Sequence, residues 1–183
     1  AMAAVAAANS EEEVSEILDA YLEKLETASA GDMVVTFRLI GDWKHEDGVS
    51  DHDEYVTWIE TIECIMPAES TMYDLLIKVL AAYDLDQKGA SKGYVESIQA
   101  PEILGGYWLG EFDNGPNSGW MYTVNGDHPG YGLKEWELAD GDEVIWHYVD
   151  DYTLEERKPS SKYYERWLEA DDISPETYVK RNL

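Results

Sequence analysis

Residues 118–152, SGWMYTVNGDHPGYGLKEWELADGDEVIWHYVDDY, place Trp120, Tyr122, Tyr131, Trp136, Trp146, Tyr148 and Tyr152 in one short run punctuated by turn residues. Period-2 alternation puts Trp120, Tyr122 and Val124 on one face of a strand, with Met121, Thr123 and Asn125 on the other. In the closing strand Val144, Trp146 and Tyr148 oppose Ile145, His147 and Val149. Both faces therefore carry apolar groups, and a single covering element cannot bury both. A chain with such strands must build a sheet covered on two sides, by a helix on one and by a terminal helix, a ligand or a partner on the other. Asn125-Gly126 and Asp140-Gly141-Asp142 carry the turn chemistry that shapes this sheet.

Upstream, MVVTFRLIGDW and YVTWIETIECIM read as two strands, separated by a polar acidic loop too long for a tight turn. Alternation in the second strand sets Trp58, Ile62 and Cys64 against Tyr55, Ile59 and Ile65. Pro67 stops that strand, because proline donates nothing to a ladder. Thr71 and Asp74 then form a helix-start pattern before the apolar stripe Met72, Leu75, Leu76, Val79, Leu80 and Tyr83. KGYVESIQA follows as a short strand, and LGGYWLGEFDNGPNSG as a Gly-rich connection. Strand, strand, helix and then several strands predict an α+β fold, one mixed sheet with one central packed helix. Flanking helices are expected at both termini. Ser10 and Glu13 introduce an amphipathic helix over 11–28, and two short helices are expected beyond Pro159, one around Trp167 and one after Ser174-Pro175. AMAAVAAANS reads either as the end of a removed leader or cloning remnant, or as an alanine-rich lead-in. The expected organisation is 1–31 as N-terminal helix and lead-in, 32–152 as the folded domain and 153–183 as a C-terminal helical extension.

Thirteen basic against 39 acidic side chains leave a formal charge of −26. Nucleic acids and anionic membrane surfaces need Lys and Arg to neutralise phosphate, so neither is an expected partner, and no run is long enough for membrane insertion. Cys64 is the single cysteine, which excludes an internal disulfide and a thiolate metal cluster; between Ile62 and Ile65 it reads as a core residue.

Taken together, SGWMYTVNG, MPAESTMYDLL, GYVESI and LADGDEVIWHYVDDY resemble a bacterial surface-protein domain of unknown function (DUF4430-like), related to the C-terminal domain of transcobalamin and intrinsic factor. The similarity covers roughly residues 32–152. It implies a β-grasp-like fold and an exported, cell-surface module within a larger Gram-positive bacterial protein, with neighbouring domains on the same chain. Animal relatives use the equivalent domain to cover one face of cobalamin, so corrinoid binding is implied by the resemblance alone. No histidine here is placed to ligate a corrinoid.

For ligand contact the strongest candidates are Tyr107, Trp108, Tyr131 and Trp136, because they fall in Gly-rich connections where side chains are exposed and carry function. Trp120, Tyr122, Trp146 and Tyr148 are expected to be sheet residues that define the fold. A hard cation such as calcium, or another divalent ion, has its best candidates in Asp47, Asp51, Asp53 and His52 of the acidic loop; a solvated loop is the plainer reading. Asp150 and Asp151 are a weaker third set. Asp84–Gly89 begins like a calcium-binding loop, but Lys88 occupies a ligand position and Val95 stands where the bidentate Glu belongs. His128, in GDHPG, reads as a loop residue. No nucleophile elbow, phosphate-cradling loop or metalloprotease motif is present, so the chain is expected to be no enzyme. The leading expectation is a non-catalytic module binding a small molecule, glycan or protein. A structural spacer and cation binding stand as alternatives.

Overall fold

The computed structural model describes residues 31–42, 55–154 and 171–172. The helix expected over 11–28, the loop containing Asp47, Asp51, His52 and Asp53, and the helices expected around Trp167 and after Pro175 lie outside those residues. Met33–Gly41 form β1 and Val56–Met66 form β2, an antiparallel pair. Met72–Ala82 form α1. Short strands β3 (Gln87–Lys88), β4 (Ser97–Gln99) and β5 (Trp108–Gly110) follow, then β6 (Gly119–Val124), β7 (Glu143–Val149) and β8 (Asp171–Asp172). The architecture is α+β, rich in strands, with one α-helix among the described residues.

The elements do not join in one sheet. A five-stranded sheet runs β6-β7-β1-β2-β8 and a separate three-stranded sheet runs β3-β4-β5. β1 is the centre of the larger sheet: it pairs antiparallel with β2 and parallel with β7, Phe37 opposite Val144 and Leu39 opposite Trp146. The parallel pairing requires a crossover, and α1 lies within it.

Straight alternation fails in β2. Phe37 pairs with Ile62, but Leu39 pairs with Ile59 and Ile40 with Thr57, so the register slips twice and β2 carries the extra residues. Such bulges turn the strand and re-aim its side chains. Ile59, expected opposite Trp58 and Ile62, is consequently buried in the same core cluster as both.

α1 starts on a complete capping box. The Thr71 hydroxyl accepts from the Asp74 amide, and the Asp74 carboxylate accepts from the Thr71 amide at 2.8 Å. Met72, Leu75, Leu76, Val79 and Leu80 are buried, each contributing about 1.5–3 kcal/mol relative to an exposed side chain. Tyr83, the last residue of the expected stripe, caps the C-terminus and is 44% exposed. Trp146 ties β7 to the helix, its indole N–H pointing at Met72 Sδ at 3.3 Å.

The turn signals work on backbone. Asn125 (φ 51°) and Gly126 (φ 83°) reverse the chain so that Val124 and Asp127 exchange two hydrogen bonds. The Asn125 side chain then accepts from the Glu143 amide and donates to Asp142, fixing the start of β7. Asp140 accepts from the Val34 amide, and the Gly141 amide donates to the Val34 carbonyl, which holds this turn to β1. Both faces of β7 are buried: Val144, Trp146 and Tyr148 in the main cluster, and Ile145 with Ile40 in a second one beside Tyr55.

Candidate functional site

β6 is an edge strand, and its aromatic face leads directly to a groove of about 350 Å³. Trp120, Tyr122 and Trp146 form the floor. Tyr94, Tyr131 and Tyr152 stand around it, 46%, 60% and 49% exposed. Among the six exposed large hydrophobic side chains of the described residues, these three meet at one place.

The floor is held by polar tips as well as by packing. Trp120 donates its indole N–H to the Leu109 carbonyl at 2.8 Å, joining β6 to β5. Tyr122 stacks on Trp146 at 5.2 Å and donates its hydroxyl to the Tyr131 carbonyl at 2.8 Å. Tyr148 donates to the Gly110 carbonyl and packs edge-on against Trp120. These four aromatics are core residues, as their alternation predicts. Three of them, Trp120, Tyr122 and Trp146, also line the groove.

The rim is acidic. Tyr94 donates to the Glu111 carboxylate at 2.8 Å. Burial first, and then that bond with the charges of Glu111 and Glu96, push its phenol up to about 12. Tyr122 is pushed up to about 12 by burial, with the charge of Glu135 adding to it. Both phenols therefore stay protonated at neutral pH. The single O–H of each is already given to Glu111 or to the Tyr131 carbonyl, so toward a ligand these two oxygens can only accept; the lining can stack on an apolar or planar group and attract positive charge.

The four aromatics expected to contact a ligand separate into three environments. Tyr131 stands on the groove rim, and Trp136 packs against it with ring centres 6.0 Å apart. Trp136 is half-buried, its carbonyl accepts from the Met72 amide, and its indole N–H is buried without a hydrogen-bond acceptor among the described residues. Tyr107 lies elsewhere: its hydroxyl donates to the Asp42 carbonyl at 2.7 Å and its ring meets Trp58 edge-on. Trp108 sits on β5, not in a loop, with the Lys88 ammonium 3.9 Å from its ring centre. A second groove, of about 600 Å³, opens beside Trp58, Tyr83 and Gln99. Trp58 and Trp120, 5.2 Å apart, stand between the two grooves.

Alternation had no way to find Tyr94 and Tyr152. Each is the kind of exposed tyrosine that any surface carries, and only the long-range packing of β4, β6 and the segment after β7 brings them to one groove. His128 also lines it, with Nδ1 3.1 Å from the Tyr122 carbonyl. Facing an acceptor, that nitrogen carries the proton.

Asp47, Asp51, Asp53 and His52 lie outside the described residues. Among the described residues no three His, Cys, Asp or Glu side chains are grouped as metal ligands. Asp150 accepts from the Asn114 amide group at 2.8 Å, and Asp151 accepts from the Thr153 amide, so each carboxylate has a local hydrogen-bond role. No helix among the described residues is long and apolar enough to cross a membrane.

Residues 69–150 match a protein family described as Domain of unknown function (DUF4430). No match is found among curated proteins. The matched segment holds α1, the three-stranded sheet, β6, β7 and the groove lining from Gly93 to Trp146. β1 and β2 precede it, yet β1 lies between β7 and β2 in the sheet, so the folded unit extends N-terminal of the match.

Proposed function

We propose that this chain is a non-catalytic binding module of an exported bacterial cell-surface protein, and that its ligand seats in the groove walled by Tyr94, Tyr131 and Tyr152. The convergence of those three exposed tyrosines over the buried Trp120, Tyr122 and Trp146 carries the reading. Isolated surface aromatics need no explanation, whereas several converging on one concave site with a few polar groups mark a binding surface. The sheet order supports a β-grasp-like unit, with a β1–β2 hairpin, a crossover containing α1 and a return strand β7 parallel to β1. The resemblance to a bacterial surface-protein domain supports the exported, cell-surface setting.

The test is a thermal-shift and calorimetric screen of metabolites, glycans, short peptides and cobalamin, run in parallel on the Tyr94→Ala/Tyr131→Ala variant. Phe112→Ala serves as control, because Phe112 is equally exposed and does not line the groove. The reading expects a ligand retained by the control and lost by the double variant. Every binder ignoring the two tyrosines would refute it.

A further inference from the structure

The free edge of β6 adds a second element to the groove. In the β6–β7 ladder the Asn125 amide donates to the Glu143 carbonyl, so the odd-numbered residues of β6 turn their backbone groups toward β7. The even-numbered residues turn theirs outward. Along that edge the Ser118 carbonyl accepts from the Phe112 amide, the Tyr122 carbonyl from His128 Nδ1, and Val124 is bonded to Asp127 through both its groups. Between these points lie the Trp120 N–H, the Trp120 carbonyl and the Tyr122 N–H, which meet no hydrogen-bonding group among the described residues. The groove opens along this same stretch, with Trp120, Met121 and Tyr122 in its lining.

Unpaired backbone groups along a strand edge are a template for another strand. Gly93, Gly130 and Gly132 also line this groove, and glycine lets another backbone come close. Resting on the reading of this groove as a ligand site, we propose that the ligand is an extended, basic polypeptide segment. It adds to β6 at Trp120–Tyr122 as a short extra strand and lays alternate side chains among Tyr94, Tyr131 and Tyr152.

The charge fixes the sign of the partner. Glu96, Glu111 and Glu135 act on the tyrosines of the groove. Of the nearby cations, Lys92 is paired with Glu96 at 3.0 Å, and Lys134 is bonded to the Ser91 carbonyl above the Tyr73 ring. A second copy of this chain would bring another −26 against the first, which opposes edge-to-edge pairing of two copies.

The experiment uses the full chain and a randomised library of short displayed peptides, counter-selected on Tyr94→Ala/Tyr131→Ala. The selected peptides should carry net positive charge and weaken in roughly 0.5 M salt. Methylating alternate backbone nitrogens of the best peptide should weaken it about tenfold or more in one set and leave it unchanged in the other, since only one edge of an added strand faces β6. Amide exchange at Trp120 and Tyr122 should slow in the complex. A library without a surviving peptide, indifference to both methylation sets, unchanged exchange at the two amides, or slowed exchange caused by dimerisation would each overturn strand addition. If a glycan or metabolite still bound through Tyr94 and Tyr131, the binding-module reading would stand while this inference fell.

Discussion

The hydroxyl of Tyr122, on the floor of the groove, donates to the carbonyl of Tyr131 at its rim, 2.8 Å away, so one hydrogen bond sets the height of the rim above the floor. Tyr122→Phe deletes the donor and leaves the ring. A typical net hydrogen bond contributes about 0.5–1.5 kcal/mol, and stability should fall by that amount. Amides from Gly130 to Leu133 should exchange faster by hydrogen-exchange mass spectrometry. Unaltered exchange there would mean that the rim is held by other contacts.

The indole of Trp120 bonds to the Leu109 carbonyl, linking the two sheets. Trp120→Phe removes that donor from a buried acceptor and leaves space where the larger ring was. We expect a loss of about 2–4 kcal/mol in denaturant unfolding. Exposed Phe112→Ala should stay within about 0.5 kcal/mol of wild type.

Thr71 and Asp74 make the capping box a local, additive feature. Thr71→Ala should cost about 1 kcal/mol, and Thr71→Ser should recover most of it, because serine presents the same oxygen. A threonine acting through its methyl group instead would show no recovery.

Thr71 and Asp74 also mark what was readable in the chain. A capping box, an alternating strand and an Asn-Gly turn are encoded within a few residues of one another, so α1, β6, β7 and their turns follow from spacing alone. Strict alternation sets Ile59 opposite Trp58 and Ile62, whereas two register shifts in β2 turn it to their side, and such shifts leave no mark in a β-branched run. Glycines around Trp108 read as a connection; its place in a strand of three residues comes from pairing with β4, Gln99 opposite Trp108, Ile98 opposite Leu109 and Ser97 opposite Gly110. The groove drew one of the four expected aromatics, Tyr131, to its lining and put Trp136 behind it. Tyr94 and Tyr152 join it through packing between segments far apart in sequence, which no local pattern carries.

Tyr94 and Tyr122, with phenols pushed up to about 12 from the usual 10, give the fold a pH dependence of definite sign. A group that holds its proton more tightly when folded contributes its stabilisation in full below its unfolded value. Stability should therefore be unaffected by these two groups below about pH 10 and decline as pH climbs through about 12. Phenolate absorbance should show a late-titrating fraction, and Glu135→Gln should shift part of it to lower pH, since the Glu135 charge is the second cause acting on Tyr122. A titration without late phenols would contradict the packing of the groove floor.

Gly41, at the end of β1, is pressed against the indole of Trp58. A Cβ built there would stand 2.0 Å from Cε2 and 2.3 Å from Nε1, and the glycine carries no positive φ, so space alone excludes a side chain. Trp58 packs edge-on against both Tyr107 and Trp120, contacts that its displacement would disturb. Gly41→Ala should cost about 1–3 kcal/mol by overpacking. Trp58→Phe supplies the control. It removes the part of the ring that meets the new methyl, together with an indole N–H that is buried without an acceptor among the described residues. The cost of the double variant should fall short of the sum of the two single-variant costs by about 0.5–3 kcal/mol, the coupling expected of residues in contact. Strict additivity in chemical denaturation would place the strain of Gly41→Ala somewhere other than on Trp58.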